Sequence, residues 1–401
     1  MTQHPLSAHE PPEGARGSRS PRTPQAREAP AGTGEAARAP QAREAPAGTS
    51  EAGSGRPRVV IAVDLPEPLC QEVRRRVPEV DVVWDHALYH PRRGPADWSG
   101  DPDHRRSPEQ QRAYEAMVDS ADVLFSLPDV DPAQLARTVR ANPRLRWVQA
   151  MAAGGGSQLR AAGLASEELE RVAVTTSAGV HGSPLAEFAL FGVLAGAKTL
   201  PRLTSLQRDH HWGERWEMRQ LEDMTILILG LGGIGRACAL TFSALGSRVL
   251  GSSRSSTPVP HVDELVPMDQ LPRALSRADA VVLTLPGTAS TDGLVGEGLL
   301  ESAAPGMILV NVGRGTVVDE DALVGALDDG RIGFAALDVT ATEPLPADSP
   351  LWDHPNVLIS PHTAALSSAE EARIAELFID NLRRHLEGRE LRNVVDTVEF
   401  Y

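Results

Sequence analysis

Two cysteines in 401 residues, Cys70 and Cys238, leave no room for a disulfide framework. They lie far apart and outside any CxxC pattern, as expected in a reducing, cytoplasmic setting. Long apolar runs are missing too. No stretch approaches the ~20 apolar residues of a membrane-spanning helix, and the opening MTQHPLSAHEPPEGARGS has no apolar core of the secretory type. Positive charge is in deficit: 39 Lys and Arg face 54 Asp and Glu, a formal net charge of −15. Neither a nucleic acid nor an anionic membrane is therefore expected as a partner. Residues 1–56 lack almost everything a core is made of. They are dominated by Pro, Ala, Gly, Arg and Glu, and PQAREAPAGT occurs twice, at 24–33 and 40–49. Ordering such a segment costs backbone entropy with little apolar burial to offset it, so 1–56 reads as a disordered low-complexity tail.

What is present is ample for two domains, with 41% hydrophobic residues in the chain. RVVIAVDLP (58–66) is a β-branched run ending in Asp and Pro, and it reads as a buried strand. Further strand runs stand at 80–84, 121–126 and 145–150. Between the last two, Asp131 and Pro132 mark a helix start as N-cap and first helical residue. From about Thr176 the long apolar segment SPLAEFALFGVLAGAKTL reads as a helix, with Ser183 its expected cap and Pro184 in its first turn. Strands are then expected at 225–230, 248–253, 280–285, 307–312, 333–339 and 357–360, a run of six parallel strands that makes a complete dinucleotide-binding domain. An amphipathic helix follows, with Ile374, Leu377, Phe378, Leu382 and Leu386 on its apolar face and Gly388 as its stop. The alternation defines an α/β fold with parallel sheets.

Gly230-Leu-Gly232-Gly-Ile-Gly235 closes an apolar strand and opens a helix, the context a dinucleotide turn requires. Gly230 permits the tight turn, Gly232 lets backbone approach a pyrophosphate, and Gly235 lets helix pack on strand. The amides of Gly233 and Ile234 then point at phosphate from a helix N-terminus. The next strand should end in a carboxylate for the adenosine ribose. It ends instead in Ser252-Ser253-Arg254-Ser255. Ser253 removes the repulsion a carboxylate exerts on a 2′-phosphate, and Arg254 offers a planar charged fork suited to it. Ser252 and Ser255 add hydroxyl donors. The stretch reads as an NADP site in preference to NAD; the alternative is a solvated arginine beside an NAD site that does without its acid.

Other polar residues recur at strand carboxyl ends, where open α/β sheets bind ligands. MILVNVGRG places Asn311 and Arg314 there, LDVTATEPLP places Asp338 and Glu343, and ISPHTAA places His362. Hydride addition to a carbonyl builds negative charge on oxygen. A histidine is a suitable proton donor near neutral pH, and a neighbouring carboxylate fixes its ring. Arg314 suits the substrate carboxylate and can polarise the carbonyl. Asp338 is placed to accept a hydrogen bond from a nicotinamide carboxamide. The His86/His90 pair in HALYH lacks a third ligand and meets Pro91 at once, so no metal is expected. In HHWGERW (210–216), Trp212 and Trp216 are expected to pack at the domain junction.

From about residue 58 onward the chain resembles the D-isomer-specific 2-hydroxyacid dehydrogenases, on GLGGIG, VNVGRG, LDVTATEPLP and ISPHTAA in that order. The resemblance implies two Rossmann-like domains, the coenzyme domain (176–365) inserted into a discontinuous substrate domain (57–175 and 366–401). It implies catalysis in the cleft between them, by a homodimer. Arg314 is then the substrate binder, Glu343 the partner of the histidine and His362 the acid/base. Cofactor contacts are implied at Leu285, Pro286, Thr291, Val312, Gly313 and Asp338. RWVQAMAAGGGSQL matches the loop whose amides hold the substrate carboxylate, at about Ala153, Gly154 and Gly155. The family often reads Gly-Val-Asp where this chain reads Gly154-Gly155-Gly156. The expected activity is reduction of small 2-keto acids to D-2-hydroxy acids. Because some relatives are corepressors, an NAD(P)-sensing interaction protein on the same scaffold is the alternative, and the intact Arg–Glu–His set weighs against it.

Overall fold

The computed structural model describes residues 55–94, 96–254, 257–398 and 400. The tail reading therefore falls outside the described residues over 1–54, as does Ser255. Chain order begins β1 (Arg58–Ile61), α1 (Glu67–Arg76), β2 (Asp81–Val83), α2 (Pro108–Val118), β3 (Val123–Phe125) and α3 (Pro132–Ala141). It continues with β4 (Trp147–Gln149), α4 (Gly156–Ala161), α5 (Ser166–Arg171) and β5 (Ala173–Thr175). These five strands form a parallel sheet in the order β2-β1-β3-β4-β5. Helices cover both faces, so β1, β3 and β4 are apolar and buried along almost their whole length. Asp131 caps α3 as expected, its carboxylate accepting the Ala133 amide at 2.8 Å.

One strand more than the sequence runs suggested is present: β5 lies where the second domain was expected to begin. It pairs with β4, and Thr175 also bridges antiparallel to Val394.

The second sheet takes up α6 (Gly182–Ala197), α7 (Leu200–Arg208), β6 (Thr225–Leu229), α8 (Gly233–Ala244), β7 (Arg248–Ser252) and β8 (Glu264–Val266). It goes on with α9 (Leu271–Leu275), β9 (Ala280–Leu283), α10 (Glu297–Leu300), β10 (Met307–Asn311), α11 (Glu320–Asp328), β11 (Ile332–Leu337) and β12 (Val357–Ile359). The order is β12-β11-β10-β9-β6-β7-β8, all parallel. The sheet thus has seven strands, not six, the extra one being the short edge strand β8 beside β7. A core lies on each face, one built on α6 and α8, the other on α9, α10 and α11. Gly196 lets α6 press onto β10: a Cβ there would come within 2.6 Å of Ile308. Ser183 does not cap α6. The helix starts two residues earlier, at Gly182 after His181, and no side chain caps it.

The chain then returns to the first sheet. Helix α12 (Glu370–Leu386) buries Ile374, Phe378, Ile379 and Leu382 there. The Phe378 ring stacks on Trp147 at 5.1 Å and meets Phe125 edge-on at 4.9 Å. Each such side chain contributes about 2 kcal/mol by burial. His385, tilted over Trp147, has its pKa pushed below the usual imidazole range by burial. The seven-stranded part is an insertion between β5 and α12. Its two connections are tied together. His181 Nε2 meets Glu370 Oε1 at 2.9 Å, and the Asn393 amide donates to the carbonyls of Thr176 and Ala178.

Two local expectations fail. Trp212 is 98% exposed and packs at no junction. Trp216 is half-buried, donates to Thr199 Oγ1 at 3.1 Å and lies under the Arg202 guanidinium. Both cysteines are free, and burial pushes each thiol up to about 12. Among the described residues no helix is long and apolar enough to cross a membrane, and no group of three or more side chains is arranged for a metal ion. His86 instead meets Asp64 at 2.8 Å and Glu67 at 3.2 Å.

Candidate active site

Parallel strands send all their carboxyl ends to one edge, and β10, β11 and β12 are neighbours there. That is why Glu343 and His362, nineteen positions apart, meet. Glu343, beyond β11, accepts from His362 Nδ1, beyond β12, at 2.7 Å. Its other oxygen accepts the Thr340 amide at 3.2 Å, which holds the carboxylate in place. With Nδ1 so engaged, Nε2 is the imidazole atom left for chemistry. His362 has a φ of +54°, a left-handed conformation rarely adopted by residues other than glycine. Its amide donates to the Asp338 and Ser360 carbonyls.

Asp338 is the organiser of this turn, a role the sequence did not suggest. Buried at the end of β11, it accepts at Oδ1 from the Ser360 hydroxyl at 2.7 Å and from the Thr363 and Ala364 amides at 3.0 Å each. The carboxylate read as a nicotinamide contact thus also fixes the loop that carries His362.

Arg314 follows β10. The Asn311 amide group donates to its carbonyl at 3.0 Å, and Asn311 Oδ1 accepts the Gly313 amide at 3.0 Å. The exposed guanidinium reaches the loop of the other sheet: a Cβ on Gly154 would stand 2.7 Å from Arg314 Nη2. Ala153 is half-buried and Gly154 exposed in this turn, whereas Gly155 is buried and precedes α4. A Cβ on Gly155 would lie 2.6 Å from that of Ala150, so the valine frequent in relatives does not fit this conformation.

The glycine turn joins β6 to α8 as read. Gly230 has a φ of +101°, and a Cβ on Gly235 would sit 1.9 Å from the Gly230 carbonyl oxygen, so both positions require glycine. Gly232 is the N-cap and has no side chain to cap with; a Cβ there would meet nothing within 4 Å. The first amides of α8, from Gly233 and Ile234, are thus uncapped before open space, which fits a pyrophosphate. Leu285 and Gly313 close on this turn. The Leu285 side chain stands 3.1 Å from a Cβ built on Gly230, and its carbonyl stands 2.7 Å from one built on Gly313. Thr291 donates to the Pro286 carbonyl at 2.6 Å and shapes the loop after β9. Val312 points into the core, so only its backbone is available to a cofactor.

Beyond β7, Ser253 is half-buried and Arg254 exposed. Ser252 departs from the sequence reading. Its hydroxyl is buried and donates to the Val266 carbonyl of β8 at 2.8 Å, so it is no phosphate donor.

Residues 190–364 match the family model described as D-isomer specific 2-hydroxyacid dehydrogenase, NAD binding domain. Over 191 residues the chain is 37% identical to glyoxylate/hydroxypyruvate reductase A of Enterobacter sp. (strain 638), spanning 48% of this chain and 61% of that one. The fold is similar to a D-isomer specific 2-hydroxyacid dehydrogenase from Xanthobacter autotrophicus Py2 in complex with NADPH and MES. The TM-score is 0.68 at 29% identity, over 86% of this chain and 100% of that one. It is also similar to an NADPH-dependent glyoxylate/hydroxypyruvate reductase from Sinorhizobium meliloti in complex with NADP and sulfate. There the TM-score is 0.66 at 25% identity, again over 86% and 100% of the two chains.

Proposed function

The chain belongs to the D-isomer-specific 2-hydroxyacid dehydrogenase family and is an NAD(P)-dependent dehydrogenase, and from that premise we propose that it reduces small 2-oxo acids of the glyoxylate and hydroxypyruvate type to D-2-hydroxy acids, with NADPH preferred over NADH. The observation that carries the reading is the Glu343–His362 pair at 2.7 Å, together with an arginine that reaches across to the loop at Gly154. Gly230, Gly232 and Gly235, with the amides of Gly233 and Ile234, hold the dinucleotide; Leu285, Pro286, Thr291, Val312 and Gly313 border it. When bound, the reduced nicotinamide supplies a hydride to the substrate carbonyl carbon. Arg314 pairs with the substrate carboxylate and draws charge toward the carbonyl oxygen. The amides of Ala153, Gly154 and Gly155 complete the carboxylate's contacts. His362 delivers a proton from Nε2 to the oxygen as charge builds there, and Glu343 holds the ring and stabilises the imidazolium that precedes transfer.

The cofactor preference rests on Ser253 and Arg254, with Ser255, in place of a carboxylate, and relatives bound to NADPH and NADP support it. Absorbance at 340 nm with glyoxylate or hydroxypyruvate tests both parts. NADPH should outperform NADH in kcat/KM, and Arg254→Ala should reduce that preference about 10- to 100-fold, the value of one charge-assisted contact. Equal use of the two nucleotides by the unaltered protein would refute the preference; no turnover of either acid would refute the substrate class.

We propose a homodimer on the surface of α6 and α7. Helix α7 buries no residue, Phe191 of α6 is 47% exposed, and Trp212 projects beyond them. Light scattering should give twice the mass of one chain, and Phe191→Glu combined with Trp212→Glu should halve it. A single-chain mass for the unaltered protein would end this proposal.

A further inference from the structure

Acidic residues outnumber basic ones in this chain, yet residues 224–262 contain no Asp or Glu and three arginines, Arg236, Arg248 and Arg254. That segment carries β6, α8, β7 and the start of the loop beyond β7. Arg248 stands at the amino end of β7 and pairs with Glu264 of β8 at 2.8 Å. The other two stand at the opposite edge, where the dinucleotide turn lies. Arg254 follows β7, and Arg236 is the fourth residue of α8.

Helix geometry directs Arg236 toward β7. The buried residues of α8, Gly235, Cys238, Ala239 and Phe242, face the sheet. Gly233 and Ala237 face α6: a Cβ on Gly182 would stand 3.3 Å from the Gly233 carbonyl oxygen and 3.5 Å from the Ala237 Cβ. With about 100° between successive residues, Arg236 falls on a third side, turned from both. Helix α6 lies over β10, because Gly192 and Gly196 press on Val310 and Ile308. The sheet runs β10-β9-β6-β7, so the side of α8 turned from α6 is the side of β7. A helical side chain also leans toward the N-terminus of its helix, which carries this guanidinium back over the turn.

Hydrogen bonds fix it there. Arg236 Nε donates to the Leu231 carbonyl at 3.0 Å. Leu231 rests on β7: a Cβ on Gly251 would lie 2.8 Å from its Cδ1. The Gly230 amide donates to the Ser252 carbonyl at 2.9 Å, so the turn abuts the end of β7. The turn that moors the guanidinium is therefore one strand spacing, about 5 Å, from the backbone leading into Arg254.

The group is open to a ligand. Arg236 is exposed, and neither of its Nη atoms has a partner among the described residues. A dinucleotide seated on the Gly233 and Ile234 amides places its adenosine ribose between this turn and the end of β7. A bare 2′-hydroxyl has no use for two guanidiniums. A 2′-phosphate, with three acceptor oxygens and a charge of about −1.5 to −2, can pair with both.

We propose that Arg236 is a second determinant of cofactor choice, and that it clamps the 2′-phosphate of NADPH from the helix side while Arg254 holds it from the strand side. This rests on the NADPH preference proposed above and adds a residue that creates it. Titration calorimetry of the full chain with NADPH and with NADH, in the absence of any acid, tests the clamp. The variant is Arg236→Gln, whose amide nitrogen stands where Nε does and keeps a donor for the Leu231 carbonyl. Its Kd for NADPH should rise at least about 10-fold, the value of a lost charge-assisted contact, while Kd for NADH stays within about 2-fold. Equal rises for both nucleotides would make Arg236 a support of the turn or a pyrophosphate contact. No rise for either would make it a solvated surface arginine. Each of these outcomes overturns the clamp. A preference lost in Arg254→Ala but kept in Arg236→Gln overturns the second determinant alone. Equal affinity of the unaltered protein for the two nucleotides would refute the NADPH preference itself, and the clamp with it.

Discussion

Replacing His362 by alanine is expected to lower kcat for 2-oxo acid reduction by about 10³, within the range for loss of a positioned proton donor. Nucleotide affinity should persist, because the dinucleotide turn at Gly230–Gly235 is built from β6 and α8 and owes nothing to the imidazole. Thermal stability should change little, since the side chain is 48% exposed. Glu343→Gln should cost less than His362→Ala. The glutamine amide keeps one acceptor oxygen of the two, so it accepts from the Thr340 amide or from the ring but not from both, and the stabilising charge is gone, while the imidazole itself remains. Steady-state kinetics with a parallel titration of nucleotide fluorescence would separate these effects. Near-normal turnover in His362→Ala would remove it from the chemistry.

Arg314→Ala should be nearly as damaging, with kcat/KM reduced about 10³ and both KM and kcat affected. The same guanidinium is assigned to the ground-state carboxylate and to the developing charge on oxygen, so its loss divides between the two constants. The fold should not notice: the side chain is exposed, and the hydrogen bond found for it is to its own neighbour, Gly313 O, at 2.7 Å. A milder probe of the same geometry is Gly154→Ala. Its Cβ would stand 2.7 Å from Nη2, the far end of a flexible side chain, so the arginine would swing aside at little cost in stability. KM for the acid should rise while the melting temperature holds. If Arg314→Ala leaves kcat/KM within a few-fold of the unaltered protein, the carboxylate is held elsewhere.

The placement of the candidate site residues was legible in the sequence because parallel topology makes it so. Arg314, Glu343 and His362 each follow an apolar strand, and adjacent parallel strands deliver their ends to one edge. Only the side-chain distances had to come from the fold. The misses share a cause: short elements whose identity comes from their neighbours. β5 and β8 have three residues each, too few to show a period. Missing β8 also misdirected Ser252, whose hydroxyl answers to a carbonyl of that strand. Trp212 looked like a packing residue because indole usually is one, yet nothing in the chain's local pattern says whether a large ring has a neighbour. The excursion at 84–107 was read only for His86 and His90. That Arg106, Tyr114 and Asp129 meet around β1 and β3 is a coincidence of three separate segments.

The return of α12 to the first sheet has a consequence for how the protein comes into being. On the ribosome, β1 to β5 emerge first, but Trp147 and Phe125 then face no Phe378. Everything from α6 to β12 must be translated before that helix appears. The nascent first sheet therefore waits with an open apolar face while the seven-stranded part, continuous in sequence, can close both of its own cores. The inserted half is thus set to fold first although it is made second, and the half that begins the chain is the last to be finished.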